Sequence, residues 1–306
     1  MQRKSPFLLS VLFVTAAILS CGSPKGNIVV GSKMDTEGAL LGNMIILTLT
    51  QHGYSVVDKI QLGGTPIVRK ALIAGELDIY PEYTGNGAFF FNEAESPVWK
   101  EADKAFARVK ELDLSQNNLV WLRSAPANNT WAIAVRKDLA SREGLTSLSD
   151  LAAYVNRGGK LKLAGSEEFV NSPAALPAFY KAYGFTLRPE QLLILSGGNT
   201  ATTEKAAAEE TDGVNAAMAY GTDGQLAAFN LLVLEDDKNV QPVYQPAPVV
   251  RKAILEKYPD LPKILDPIFQ KLDVVTLQSL NAKIVVDGQN PEDVARAWLK
   301  SAGFVK

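Results

Sequence analysis

Residues 28–80 read IVVGSKMDTEGALLGNMIILTLTQHGYSVVDKIQLGGTPIVRKALIAGELDIY, and this stretch decides the fold. Ile28-Val29-Val30 has the composition of a buried strand, and Gly31-Ser32-Lys33 is the turn leaving it. Asp35 or Thr36 can cap a following helix on which Leu40, Leu41, Met44, Ile45 and Leu47 cluster to one side, and Gly53 ends it. Val56-Val57 begins the next strand. Thr65 and Pro66 mark a second helix start, with Thr65 expected as the N-cap and Pro66 at the first helical position; Gly75 is the matching stop. Leu77 to Tyr80 returns as a strand. Strand, helix, strand, helix, strand within about fifty residues predicts a parallel sheet with right-handed crossovers.

Downstream the alternation resumes. Trp131 to Val135 and Leu161 to Ala164 read as strands, Pro173 to Tyr183 as a helix closed by Gly184, and Ala216 to Tyr220 as a further strand. From about Arg251 the chain is almost wholly helical, with Leu261, Ile264, Leu265, Ile268, Leu272, Leu277, Leu280, Val294 and Trp298 at helical spacings. Two α/β lobes and a helical tail predict a cleft at the carboxyl ends of the strands, where the polar turns fall.

Upstream, Arg3 and Lys4 precede an uncharged apolar run from Phe7 to Ser20 that is shorter than the roughly 20 residues a membrane span needs. It reads as the core of a secretory signal peptide. Ile18-Leu19-Ser20-Cys21 resembles the bacterial lipobox, in which the cysteine is acylated and becomes the new N-terminus. Residues 1–20 are therefore expected to be a signal peptide and 21–26 a lipidated linker, giving an extracytoplasmic lipoprotein of the periplasm or cell surface. Cys21 is the only cysteine, so no disulfide is expected. The formal net charge of −2 gives no electrostatic reason to bind nucleic acid, and losing Arg3 and Lys4 makes it more negative. One histidine, His52, and no second thiol argue against a transition-metal site.

The segment Gly75-Glu76-Leu77-Asp78-Ile79-Tyr80-Pro81-Glu82-Tyr83-Thr84-Gly85 carries the sharpest functional signal. With Gly31-Ser32-Lys33, Thr36-Glu37, Leu62-Gly63-Gly64-Thr65, Arg69-Lys70-Ala71-Leu72, Ala219-Tyr220-Gly221-Thr222-Asp223-Gly224 and Ala247-Pro248-Val249-Val250, it resembles the substrate-binding lipoproteins of osmoprotectant ABC importers. That family captures glycine betaine, choline, carnitine and related quaternary amines. The resemblance spans nearly the whole mature chain. It implies a bilobal type II periplasmic-binding-protein fold whose lobes are joined by two crossovers. The expected division is residues 27–125 with 240–306 for one lobe and 126–239 for the other.

A trimethylammonium group is cationic yet has no N–H to donate, so aromatic faces are its natural partners. The resemblance places the family's aromatic cage on Tyr83, Trp131, Tyr220 and Tyr244, with two rings from each lobe. It makes Lys33 the candidate for a ligand carboxylate, with Asn86 and the pair Asn129-Thr130 holding the tail. Relatives often carry an arginine near the position aligned to Ser172; its absence favours choline or another amine over glycine betaine. Asp223 reads as the cap of the next helix. Asp78 and Glu82 form a carboxylate pair with no evident partner to tune one of them as an acid.

No cofactor is implied. The expected partners are the small quaternary amine and the permease and ATPase of the importer, with the membrane reached through the N-terminal lipid and the protein itself a monomer. A receptor for another small polar solute, such as an amino acid or polyamine, would instead show paired carboxylates or an arginine clamp. A lipid-anchored secreted hydrolase would need a nucleophile elbow or a metal set, and neither Gly-x-Ser-x-Gly nor a ligand cluster occurs. No catalytic residue is assigned.

Overall fold

The computed structural model describes residues 25–195 and 199–306. The stretch expected to be a signal peptide, and Cys21, lie outside the described residues. Two five-stranded sheets organise the chain. The first contains β1 (Asn27–Lys33), β2 (Ser55–Gly63), β3 (Ile79–Tyr83) and β4 (Leu119–Trp121), together with a strand contributed from far downstream, β10 (Pro246–Arg251). The second contains β5 (Trp131–Arg136), β6 (Leu163–Ser166), β7 (Leu192–Leu195), β8 (Ala216–Tyr220) and β9 (Leu231–Val233).

In space the first sheet runs β2-β1-β3-β10-β4 and the second β7-β6-β8-β5-β9. The expected parallel core is present, since β1 pairs parallel with β2 and β3, and β6 with β7 and β8. Neither sheet is wholly parallel, however. β10 is antiparallel to β3 and β4, and β5 is antiparallel to β8 and β9. These inverted strands are the ones by which the chain enters each sheet after crossing between them. An antiparallel strand sets its own beginning beside its neighbour's carboxyl end, so each crossover arrives at the rim of the cleft.

Local chemistry accounts for the elements. Helix α1 (Thr36–Gln51) starts at Asp35, whose carboxylate accepts the Gly38 N–H at 2.7 Å, and buries Leu40, Leu41, Met44, Ile45 and Leu49. Helix α2 (Thr65–Ala74) corrects the expected cap. Gly64 is the N-cap, Thr65 the first helical residue and Pro66 the second, and no side chain caps the helix. Gly75, in the left-handed conformation, closes it as expected. The downstream helix is shorter than expected, Leu176–Tyr183, with a separate short helix at Glu167–Asn171 ahead of it.

Each sheet is covered on both faces. In the first, Ile28, Val30 and Ile79 join α1 and the C-terminal helices in one core, while Tyr80, Trp99, Trp121 and Val249 fill the other side. In the second, Ile133, Leu163, Phe169 and Phe179 pack on one side and Ala134, Ala217 and Val214 on the other. Burying such a side chain contributes roughly 1.5–3 kcal/mol before conformational entropy is set against it. Arg69, within one of the motifs that carry the resemblance, is structural: its guanidinium makes two hydrogen bonds to the buried Asp113, which also accepts from Trp121 Nε1. No helix among the described residues is long and apolar enough to cross a membrane.

Candidate functional site

The two crossovers, residues 122–130 and 234–245, run side by side and hydrogen-bond to each other. Asn129 N–H donates to the Tyr244 carbonyl at 2.9 Å, and Tyr244 N–H donates to Asn128 Oδ1 at 2.8 Å. Above them lies a cavity of about 730 Å³ between the sheets. Its volume lies within the range of small-molecule sites.

Sheet register explains which side chains meet there. Tyr83 ends β3 and pairs with Pro246 at the start of β10, so Tyr244, two residues earlier, comes beside it. Trp131 starts β5 and pairs with Tyr220, the last residue of β8. All eight residues singled out from the sequence, Lys33, Tyr83, Asn86, Asn129, Thr130, Trp131, Tyr220 and Tyr244, line the cavity. Trp131 and Tyr220 lie nearly parallel, with centroids 6.4 Å apart and planes 15° apart. A Cβ on Gly85 would come within 2.8 Å of the Tyr244 ring, so glycine there is what lets that ring lie against the turn. Burial raises the Tyr220 hydroxyl above its ordinary pKa and pushes Tyr244 up to about 12, so both rings are neutral near pH 7.

Four of the eight, Lys33, Tyr83, Asn86 and Asn129, spend side-chain hydrogen bonds on the protein itself. Lys33 is 7% exposed and its ammonium donates to Glu82 Oε1 at 2.7 Å. The same ammonium sits 4.2 Å from the Tyr83 ring centroid, covering one face of that ring. Lys33 is therefore not a free cation waiting for a ligand carboxylate. Glu82 is fully buried and also accepts from Tyr80 Oη, Asn86 Nδ2 and the Tyr83 N–H, so it is the centre of a hydrogen-bond cluster and not half of an acid pair with Asp78. Asp78 instead holds the Val29 N–H and Arg251.

Tyr83 is buried, and its hydroxyl donates to Glu37 Oε1 at 2.6 Å. Burial, and after it the Glu37 carboxylate, raises that hydroxyl well above its usual pKa. Trp131, Tyr220 and Tyr244 offer the more open ring faces. Ser172 is the C-cap of the short Glu167–Asn171 helix, and the nearby wall position is taken by Ala174. Asp223 does not cap a helix: its carboxylate accepts the Tyr220 N–H at 2.7 Å, closing the turn after β8, and burial raises its pKa.

Other wall residues escaped the sequence reading. Phe89 is 62% exposed and adds a fifth ring, with no pattern around it to signal a site. Glu37, on α1, stands in a motif that carries the resemblance but was given no role, and Asn281, on the Val274–Val285 helix, reads as one polar residue among many. Asp35, Glu37 and Asp223 give the wall three carboxyl groups, while Lys33 is the only lysine or arginine among the described lining residues. No cluster of three or more His, Cys, Asp or Glu residues suited to a metal ion occurs among the described residues.

The family model for the substrate-binding domain of ABC-type glycine betaine transport systems matches residues 26–301. The glycine betaine-binding protein YehZ of Escherichia coli strain K12 is 55% identical over 298 residues, covering 97% of both chains. A glycine-betaine-binding protein of Pseudomonas aeruginosa is 33% identical over 277 residues, 89% of this chain and 86% of that one. The solved structure of apo YehZ from Escherichia coli superimposes with a TM-score of 0.87 at 56% identity, covering 93% of this chain and all of that one. The two sheets are thus the lobes of a bilobal periplasmic-binding-protein fold, and the chain belongs to the family of substrate-binding domains of ABC-type glycine betaine transport systems.

Proposed function

We propose that this protein is the extracytoplasmic receptor of an ABC importer, capturing a quaternary ammonium solute such as glycine betaine or choline in an aromatic cage between its lobes. One observation carries the reading: Trp131, Tyr220 and Tyr244 meet in a cavity whose single lysine is already paired with Glu82. Rings and carboxyl groups suit a cation that lacks N–H donors, and each well-placed ring contributes on the order of 0.5–2 kcal/mol. A ligand carboxylate, where present, meets the uncapped start of α2 at Thr65 and the amides of Asn86 and Asn129 more readily than a free cation.

In this reading residues 27–125 with 240–306 move as one unit and 126–239 as the other. The closed, loaded form is handed to the permease and ATPase. Cys21 carries the lipid that keeps the receptor at the membrane; replacing it with serine moves the protein out of the detergent phase on partitioning, and retention there overturns the anchor.

Titration calorimetry with glycine betaine, choline and a tertiary-amine analogue tests the cage. Trp131→Ala and Tyr220→Ala each lose about 1–3 kcal/mol of binding free energy, the ring's contribution plus its packing. Lys33→Ala, which leaves Glu82 without its cation, weakens choline and the carboxylate-bearing ligand to a similar degree. Ring variants that bind as the parent does, beside a Lys33→Ala variant that binds nothing, would replace the cage with an anion receptor.

A further inference from the structure

Glu37 stands at a junction of four chain segments. Its Oε1 accepts from Tyr83 Oη at 2.6 Å and from Asn129 Nδ2 at 3.3 Å; its Oε2 accepts from Asn281 Nδ2 at 2.7 Å. Thr222, in the loop after β8, lies beside this group and lowers its pKa. Tyr83 and Asn281 belong to the lobe that holds Glu37 itself, Thr222 to the opposite lobe, and Asn129 to the first crossover. Asn281 also donates to the Thr222 carbonyl at 2.9 Å, and Gln278, one turn earlier on the same helix, donates to the Gly221 carbonyl at 2.8 Å. A Cβ on Gly224 would stand 2.3 Å from the backbone nitrogen of Ala282, so the loop approaches this helix as closely as glycine permits.

Helix stability alone does not explain a buried carboxylate at position 37: a first-turn acid favours the helix by less than burying a charge costs. Asp35 already caps α1, and an apolar residue would serve the packing without the cost of burying a charge. Desolvation does raise the Glu37 pKa, and Thr222 together with the hydrogen bonds from Tyr83 and Asn281 offsets it. Tyr83 and Asn281 hold Glu37 within its own lobe, and the Asn281 amide that holds it also reaches the Thr222 carbonyl of the opposite lobe, so the setting of Glu37 is tied to the lobes being together. Tyr83 is the one ring of the proposed cage whose orientation is set by a hydrogen bond to this group.

We infer that Glu37 is a positioning residue that fixes the Tyr83 ring and, through Asn281 and Thr222, joins lobe closure to the geometry of the cage. The inference rests on the cage reading for its effect on affinity, but its effect on closure involves protein groups alone. Two measurements separate the two. Titration of the parent with choline and glycine betaine tests the cage, and small-angle scattering of parent and variants with and without ligand tests the junction.

Glu37→Gln presents an amide donor to groups that are themselves donors. It weakens choline binding about tenfold and lessens the compaction on loading, with the unfolding midpoint measured beside it to show that the variant is folded. Combining it with Tyr83→Phe adds little further loss, because both remove the same hydrogen bond. Gly224→Ala, where the loop meets this helix, enlarges the radius of gyration even without ligand, as does Asn281→Ala. A Glu37→Gln variant that binds and compacts like the parent overturns the inference. So do losses fully additive with Tyr83→Phe, or an unliganded radius unchanged in both Asn281→Ala and Gly224→Ala. If the parent binds neither amine, the cage reading fails, and the unliganded radii still decide the junction.

Discussion

Glu204 is fully buried on the Thr200–Ala208 helix, and no donor among the described residues reaches either of its carboxyl oxygens. Burial, and then the neighbouring Asp223 carboxylate, pushes its pKa from 4.5 up to about 10. The folded state thus holds a proton that the unfolded chain gives up, so this group's contribution is fully present below about pH 4.5 and is lost as pH rises toward 10. Unfolding free energy measured by urea should fall between about pH 6 and pH 9, by at most about 1.4 kcal/mol per pH unit from this group. Glu204→Gln removes that part of the slope. An unchanged slope in the variant would show that Glu204 is ionised in the fold. Nothing around Glu204 in the sequence announces this, because the Asp223 that meets it lies 19 positions away and on a different element. The same limit hid the Lys33–Glu82 pair, whose members are 49 residues apart, so Lys33 read as a free cation. The four rings proposed for the cage could be singled out because each sits beside a local motif at or near a strand end.

At the level of elements, what was legible followed short-range chemistry. The alternation over residues 28–80 gave three parallel strands and two helices in the right order, and Ala216–Tyr220 is a strand with the expected bounds. The strand expected at Leu77–Tyr80 lies instead at Ile79–Tyr83, and Pro81 explains the difference. A proline ordinarily breaks a ladder. Here the pairing of β1 with β3 is confined to Val30 and Ile79, so no donor is asked of Pro81, which lies opposite Pro248 of β10. The misplaced cap of α2 has a similar cause: Gly64 takes the extended conformation at the turn and leaves Thr65 inside the helix. Short strands such as β4, β7 and β9 have too few residues for a period to show. The inversion of β5 and β10 could not be read locally at all, since direction is set by partners more than 80 residues away in sequence.

For the molecule as a whole, the two sheets differ in how their strands are distributed along the chain. The second sheet is built from one continuous stretch, Trp131 to Val233. The first is not: β10 lies between β3 and β4, and its larger core draws on Leu261, Leu265, Ile268, Phe269, Leu277 and Leu299. A fragment spanning 126–239 should therefore unfold cooperatively by itself in urea, followed by circular dichroism, whereas 27–125 alone should show no cooperative transition. A sharp transition in the latter would mean that β10 is not needed to hold β3 and β4 in place. During synthesis the consequence is an order of events. The first-made third of the polypeptide cannot complete its sheet until Arg251 has left the ribosome, and contacts of such long sequence separation form slowly. For most of its time as a nascent chain this protein is an unfinished N-terminal lobe, with the edges of β3 and β4 open to chaperones, or to one another's copies, until the last strand arrives.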